Sequence, residues 1–335
     1  MNNFYTHFLR FTLLLALVVI VLGAYTRLSD AGLGCPDWPG CYGHLTVPAD
    51  ASHTDFERPL EHAKAWAEMI HRYVAGCLGL AILAIFLIHV FKAEVRRQNG
   101  LLLPTLLLGT VIFQALLGMW TVTKLLSPII VTGHLIGGFS TLSLLWLLYL
   151  RHQRAQSATP APNHSSFSSG LRWWAAAALL AVIIQIILGG WTSTNYAAIA
   201  CGTSYPSCHG SLWPEADFAK GFSLKAQMEA GVNYEFGILE SPARTAIHMT
   251  HRTFAWVVVL AVGLLGIRLL RRKIAAVGHL PVAMLALLGT QVTLGILNVV
   301  LALPLAVATA HNLVAALLLL SLIAVNYRLF TTRNG

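Results

Sequence analysis

EMIHRYVAGCLGLAILAIFLIHV, Glu68 to Val90, is the stretch on which the fold turns. Its apolar body is long enough to cross about 30 Å of hydrocarbon, which takes about 20 helical residues. Its first turns nevertheless carry a glutamate, a histidine and an arginine, groups that are costly in lipid and usually functional there. The frame returns 180 residues later as HMTHRTFAW, His248 to Trp256, with Met, His and Arg in place and His248 where Glu68 stood.

Working outward, the 335-residue chain is 56% hydrophobic and only 10% charged, with a mean hydropathy of +0.68. That composition belongs in a membrane rather than in a soluble domain. Eight apolar runs are long enough to span, near 9–27, 65–90, 102–123, 129–150, 172–194, 244–269, 281–302 and 305–328. They lack the alternation of a barrel strand, and backbone groups in lipid must be satisfied within their own segment, so all eight are expected to be helices. The expected fold class is therefore all-α, a polytopic membrane protein.

Eight spans place both termini on one side, and the loops say which. The N-terminus, the loops near 91–101, 151–171 and 268–280, and the C-terminus hold 13 of the 22 Lys and Arg with a single acid, Glu94. The opposite side keeps 9 basic and 12 acidic residues. The positive-inside rule makes both termini cytoplasmic. The basic pI of about 9.6 is then a consequence of topology, and no nucleic-acid partner is expected. The first run has no obvious small-residue cleavage site and recurs at the fifth span, so it reads as a permanent helix. Nothing resembles an Arg- and Ser-rich presequence, which favours a bacterial cell membrane.

Residues 152–170, HQRAQSATPAPNHSSFSSG, form a polar linker rich in Ser, Pro and Ala. The four spans before it correspond to the four after it. LGAYT (Leu22–Thr26) matches LGGWT (Leu188–Thr192) at an offset of 166, which also pairs Cys35 with Cys201. At 180, His71 pairs with His251 and Arg72 with Arg252; at 177, Pro104, Gln114, Gly118, Thr132 and His134 pair with Pro281, Gln291, Gly295, Thr309 and His311. Coincidences in four successive segments indicate an internal duplication. The expected organisation is a four-helix bundle over 1–151, the linker, and a second bundle over 171–335.

His71, His134, His251 and His311 each lie at the outer end of an even-numbered span. Two imidazoles from facing helices supply both axial ligands of a haem iron. One turn further along stand small residues, Ala75, Gly138, Ala255 and Ala315, which leave room for a flat macrocycle. Histidines hydrogen-bonded between helices, or ligands to bare copper or zinc joined by Glu68 or His248, are the alternatives. Arg72 and Arg252 directly follow the ligand candidates and could pair with haem propionates or snorkel to headgroups, with Arg27 and Lys124 as further candidates. His7, His89, His152, His164 and His279 read as solvated or interfacial, and His44, His53, His62 and His209 as outer-loop residues. Cys35 with Cys41, and Cys201 with Cys208, sit in outer loops in an oxidising compartment, where two local disulfides are expected, either structural staples or redox-active pairs. Cys77 reads as a small apolar core residue.

Together these residues resemble the haem A synthase family in its bacterial eight-helix form. The likeness covers nearly the whole chain: the half-repeats, a histidine on each even span, ExxHR at Glu68–Arg72, the outer loop TRLSDAGLGCPDWPGC at Thr26–Cys41, and the second-half cysteines. The resemblance implies oxidation of the methyl at porphyrin carbon 8 of haem O to a formyl group, giving haem A for cytochrome oxidase. It also implies substrate haem between His71 and His134, a haem b cofactor on His251 and His311, and Glu68 as the catalytic acid. Read from the residues alone, Glu68 could instead be a hydrogen-bond or charge partner of Arg72, and His248 could hydrogen-bond a propionate or tune the neighbouring haem. Haem O synthase, oxidase assembly factors and an electron donor of no recognisable motif are the implied partners, besides membrane lipid. A bis-histidine b-type cytochrome carrying electrons from a quinol, or a haem chaperone, are the competing classes. The aromatic outer loop 202–242 is expected over the second haem.

Overall fold

The computed structural model describes residues 2–52, 55–156, 168–227, 229, 231–274 and 277–331. Eight of its helices are long and apolar enough to span: α1 (Asn2–Leu28), α2 (His62–Phe91), α4 (Leu102–Thr123), α5 (Pro128–Gln156), α6 (Ser169–Thr194), α8 (Ser241–Arg271), α9 (Leu280–Val300) and α10 (Leu305–Thr331). Short helices α3 (Ala93–Asn99) and α7 (Phe218–Gly221) sit in the connections. No strand occurs among the described residues, only two isolated bridges, Cys41 with His44 and Cys208 with Ser211. The fold is all-α and multi-pass, as its composition requires.

Helix ends follow local chemistry. Pro242 and Pro281 occupy the first turns of α8 and α9, where a missing N–H costs nothing. Leu125 and Leu126 end α4 with φ of 47° and 60°, and Ala302 and Leu303 end α9 with 57° and 61°. In both turns an N–H reaches back five residues, Leu126 to the Thr121 carbonyl (2.8 Å) and Leu303 to that of Asn298 (2.7 Å). Left-handed backbone on such side chains costs about 1–2 kcal/mol per residue. Both tight reversals accept that cost and so hold α4 against α5 and α9 against α10.

Each set of four spans closes on itself. In the first, α1 packs on α2, α2 on α4, α4 on α5 and α5 on α1; in the second, α6 packs on α8, α8 on α9, α9 on α10 and α10 on α6. The sets meet where α1 lies on α10, α5 on α6, and α5 on α10. This packing is compatible with an internal duplication. One apolar core runs through both sets, from Ile82 and Ile85 through Leu142 and Leu145 to Val262, Leu265 and Leu322. A polar tie crosses the seam at depth, the Trp146 indole N–H donating to the Leu320 carbonyl (2.9 Å), and within the second set the Asn326 amide donates to the Ala175 carbonyl (3.0 Å). Helices overrun the polar segment between the sets, α5 to Gln156 and α6 from Ser169; residues 157–167, with His164, and also His53, lie outside the described residues.

Three expectations change. His89 and His152 are not solvated: both are buried between α1, α2, α3 and α5, where Tyr5 reaches His89, and Thr6 (2.9 Å) and Asn99 (3.4 Å) reach His152. Sequence position placed them near helix ends, but α3 and the first turns of α1 fold over them. Cys77 is on the outer surface of α2 rather than in the core. The third is widened: the outer loop before α8, expected over the second haem, packs on the second bundle, where the Trp191 indole N–H donates to the Gly221 carbonyl (2.9 Å), and also extends beyond it. It reaches the first bundle: Tyr234, fully buried, takes its N–H to the Leu125 carbonyl (3.0 Å), and Ser127 donates to the Gln227 carbonyl (2.7 Å).

A bidentate ion pair anchors that strap, Arg58 to Glu235 at 2.9 and 2.7 Å. The Glu235 carboxylate holds the Arg58 guanidinium above its ordinary pKa. Because Glu235 is nearly buried and both oxygens are engaged, this pair exceeds the 0–1 kcal/mol of an exposed bridge and falls nearer the roughly 1.5–3 kcal/mol of charged hydrogen bonds. A double-mutant cycle of Arg58→Met and Glu235→Gln, read by thermal unfolding, is expected to return a coupling of at least about 1 kcal/mol. Additive single effects would show that the strap is held elsewhere.

Candidate functional site

At the outer end of α2, Glu68 is buried, with 5% of its surface exposed. One carboxylate oxygen accepts the Cys35 backbone N–H (2.9 Å) and the other accepts from the Arg72 guanidinium (2.5 Å), one turn on along the helix. Arg72 extends its other nitrogen to three carbonyls of the same outer loop, Asp37 (3.0 Å), Pro39 (3.3 Å) and Gly40 (2.5 Å). That loop is closed by the Cys35–Cys41 disulfide. Asp37 caps the turn inside it, accepting the Tyr42 and Gly43 N–H groups (2.6 and 2.9 Å). Tyr42 is buried below, its phenol pKa raised by burial against the opposing pull of Arg58.

Gly34 sets how closely this loop approaches. A Cβ there would fall 2.5 Å from the Lys64 carbonyl carbon and 2.7 Å from the Ala65 nitrogen, so no other residue fits without moving backbone. Gly34→Ala is expected to destabilise by about 1–3 kcal/mol, the usual cost of overpacking, and to part the Cys35 N–H from Glu68. Limited proteolysis of the 29–61 loop reads the first effect. Hydrogen exchange at the Cys35 amide reads the second; a variant that keeps both at wild-type level would show that the close approach is dispensable.

The same construction stands in the second bundle. His248 is buried and accepts the Cys201 N–H through Nδ1 (3.3 Å), and Cys201 is bonded to Cys208. Arg252 donates to the carbonyls of Ser204, Pro206 and Ser207 (3.3, 2.9 and 3.4 Å) and lies over the Tyr205 ring. Position 68 or 248 thus touches the first cysteine of its loop, and the arginine four residues on clasps that loop. This is where Arg72 and Arg252 are placed; Arg252 keeps a buried Nη1 without a partner, a donor still free for an anion. Arg27 instead crosses the seam to the Ser193 carbonyl (2.5 Å) and covers the Tyr196 ring at 4.1 Å, with Asp30 beside it. Lys124 is exposed at the end of α4.

Below the clasp lie the histidines. His71 of α2 and His134 of α5 face each other with ring centroids 6.4 Å apart and planes at 86°. That separation admits a metal ion bonded at about 2 Å to a nitrogen of each ring. Every one of the four imidazoles rests against a glycine of the preceding odd-numbered span: a Cβ on Gly23, Gly118, Gly189 or Gly295 would lie 3.0, 3.4, 3.1 or 3.2 Å from Cε1 of His71, His134, His251 or His311. At Gly23, Gly189 and Gly295 an added Cβ would make the ring give by a few tenths of an ångström, whereas at Gly118 it would only just touch. Gly138, one turn beyond His134, faces open space, with nothing within 4 Å of an added Cβ.

Buried ring nitrogens that lack a hydrogen-bond partner want a ligand: Nδ1 of His71, of His134 and of His311 are in that state. Among the described residues no three or more His, Cys, Asp or Glu side chains converge as a bare-metal set, and Glu68 is occupied by Cys35 and Arg72. Paired imidazoles, a flanking small residue and unpartnered ring nitrogens fit a haem better than a bare ion. The glycine rests were half visible in the sequence, since Gly118 and Gly295 fall at matched positions and Gly23 and Gly189 lie in LGAYT and LGGWT. Arg58, Glu235 and Gln185 carried no such signal.

A family profile described as cytochrome oxidase assembly protein, COX15-CtaA, matches residues 6–323. The chain is 46% identical to a haem A synthase of Shewanella oneidensis over 97% of its own length and 96% of that protein's. Haem A synthases of Erythrobacter litoralis and Nitrosospira multiformis are each 27% identical, over 92% and 94% of this chain and 91% and 90% of theirs. A profile and relatives that span the chain from end to end, over two bundles with paired histidines and disulfide-closed loops, establish that it belongs to the COX15-CtaA family of cytochrome oxidase assembly proteins.

Proposed function

We propose that the two histidine pairs divide the work of haem A synthesis. The chain is an oxidoreductase that converts haem O to haem A. In this reading residues 1–151 handle substrate, with haem O between His71 and His134, and residues 171–335 hold a haem b between His251 and His311. The observation that carries the division is the one difference within an otherwise repeated clasp: a buried carboxylate, Glu68, where the second bundle has His248.

Glu68 and His71 lie three residues apart on one helix face, which brings the carboxyl to the substrate side of the pair. A carboxylate can take up or deliver a proton as the methyl group is oxidised. Cys35 and Arg72 hold its two oxygens, so its position is fixed before substrate arrives. His248 has no anionic form to offer and serves the neighbouring haem as a hydrogen-bond partner. Haem b, when bound, supplies one-electron transfer. Arg252, with its free Nη1, is the better propionate partner of the two clasp arginines, and Arg27 a further one. The loop-side disulfides, opposite the basic loops, support a bacterial inner membrane with both termini cytoplasmic. Haem O synthase, oxidase assembly factors and an electron donor complete the expected partners.

The test is reconstitution of the purified chain with haem O in lipid, with dioxygen and a reductant in one arm and an electron acceptor with water as the oxygen source in the other, followed by extraction and separation of haems. Haem A formed only with the protein present supports the reading. Unchanged haem O in a protein that binds haem would make it a carrier or chaperone.

A further inference from the structure

The two bundles differ in what stands behind their histidines. In the second, the Gln185 amide nitrogen of α6 lies against the His251 ring, 3.2 Å from Nδ1 and 3.5 Å from Nε2, and donates to the His251 carbonyl (3.1 Å). Gln291 of α9 likewise places its amide nitrogen 3.2 Å from His311 Nε2, leaving that ring's Nδ1 without a partner. Both glutamine Oε1 atoms are buried and unpartnered, so turning the amide over would lose no hydrogen bond made through oxygen. Rotation about the last side-chain bond exchanges NH₂ for C=O, and one position can serve either a bare or a protonated ring nitrogen.

The first bundle lacks these side-chain contacts, and the His71 ring has only the backbone of Val19 behind it. At the offset of 166, Gln185 corresponds to Val19, which has no polar side chain. Gln291 corresponds at 177 to Gln114, but the Gln114 amide is turned into the space left by Gly137, and its Nε2 has no partner. The residue corresponding to Gly137 in the second bundle is Val314, and because a Cβ at Gly137 would lie 1.7 Å from the Gln114 amide nitrogen, a valine at that place is incompatible with the amide position Gln114 adopts. No glutamine amide reaches either ring of the first pair, and Nδ1 of His71 and of His134 is unpartnered, as it is in His311.

We infer that Gln185 and Gln291 are positioning residues that make His251 and His311 a permanent haem-ligand pair, whereas Val19 and Gly137 leave His71 and His134 an exchangeable pair suited to haem that arrives and leaves. The physical basis is that a ligating imidazole held through its other nitrogen keeps one tautomer and one ring orientation, and loss of such a partner typically costs about 10–100-fold in affinity. This rests on the assignment of the resident haem to the second bundle.

The experiment uses the full chain purified with haem b and follows transfer of that haem to an excess of a haem-scavenging apoprotein, together with the midpoint potential from a redox titration. Gln185→Val and Gln291→Leu are each expected to speed haem b loss by about 10–100-fold. Gln185→Glu, which can only accept from the ring, is expected to retain haem b and lower its potential, an effect a merely structural side chain would not produce. In the first bundle, Val19→Gln and Gly137→Val are expected to slow release of haem O. Haem b that survives His251→Ala and His311→Ala overturns the underlying assignment and this proposal with it. Haem b lost from those two variants but held at the wild-type rate and potential by Gln185→Val and Gln291→Leu overturns the proposal alone.

Discussion

Glu68→Gln is expected to give a folded protein with an unchanged haem b spectrum, accumulated haem O and almost no haem A. Glutamine keeps an oxygen for the Cys35 N–H and nearly the same volume, so the loop contact survives. What it removes is the proton-accepting carboxylate and the charge opposite Arg72. Loss of a positioned acid or base costs about 10²–10⁴-fold in rate, which sets the expected fall in haem A. Stability should fall less than for a typical broken buried pair, about 3–5 kcal/mol, because Arg72 remains on three loop carbonyls. Glu68→His, which writes the second bundle's residue into the first, is expected to be equally inactive while holding its loop. Haem A at wild-type level in either variant would remove Glu68 from the chemistry and leave it a clasp residue only.

A second large effect separates the bundles. His251→Ala or His311→Ala is expected to abolish the haem b spectrum, since removal of a ligand itself exceeds the roughly 10–100-fold that its outer partners command. His71→Ala and His134→Ala are expected to leave haem b in place and stop haem A formation. Absorbance of the purified variants, with iron and haem counted per chain, reads both. The pattern is diagnostic because each ring rests on its own glycine and neither pair shares a residue with the other. A haem b spectrum lost from the first-bundle variants and kept in the second would reverse the assignment.

Much of this was legible before any coordinates. Hydropathy located the eight spans, with ends within three residues except that α1 begins seven residues earlier and α5 runs six further, because the bilayer fixes helix length and demands internal hydrogen bonding whatever the neighbours do. The offsets of 166, 177 and 180 aligned the histidines, the cysteines and the ExxHR frame, since identity at matched positions needs no knowledge of packing. The disulfides followed from loop position and compartment. Tertiary choices stayed hidden. That Arg72 clasps its own disulfide loop depends on Gly34 letting the loop down onto α2, and no local pattern announces such an approach. That the outer loop before α8 also ties to the first bundle was hidden, because Tyr234 meets Leu125 more than a hundred residues away in sequence. His89 and His152 looked wet because they end helices; α1 and α3 seal them.

The seam between the bundles has a final consequence. Where α1 lies on α10 and α6 lies on α5, with α5 meeting α10 between them, the two sides present corresponding helices to each other, the arrangement of an isologous dimer. Two identical chains meeting across such a seam would carry the same residue at both clasp positions, an acid twice or an imidazole twice. Carried in one polypeptide, the seam is released from that constraint: symmetry fixes where the two sites stand, and covalent continuity lets position 68 and position 248 hold different chemistry.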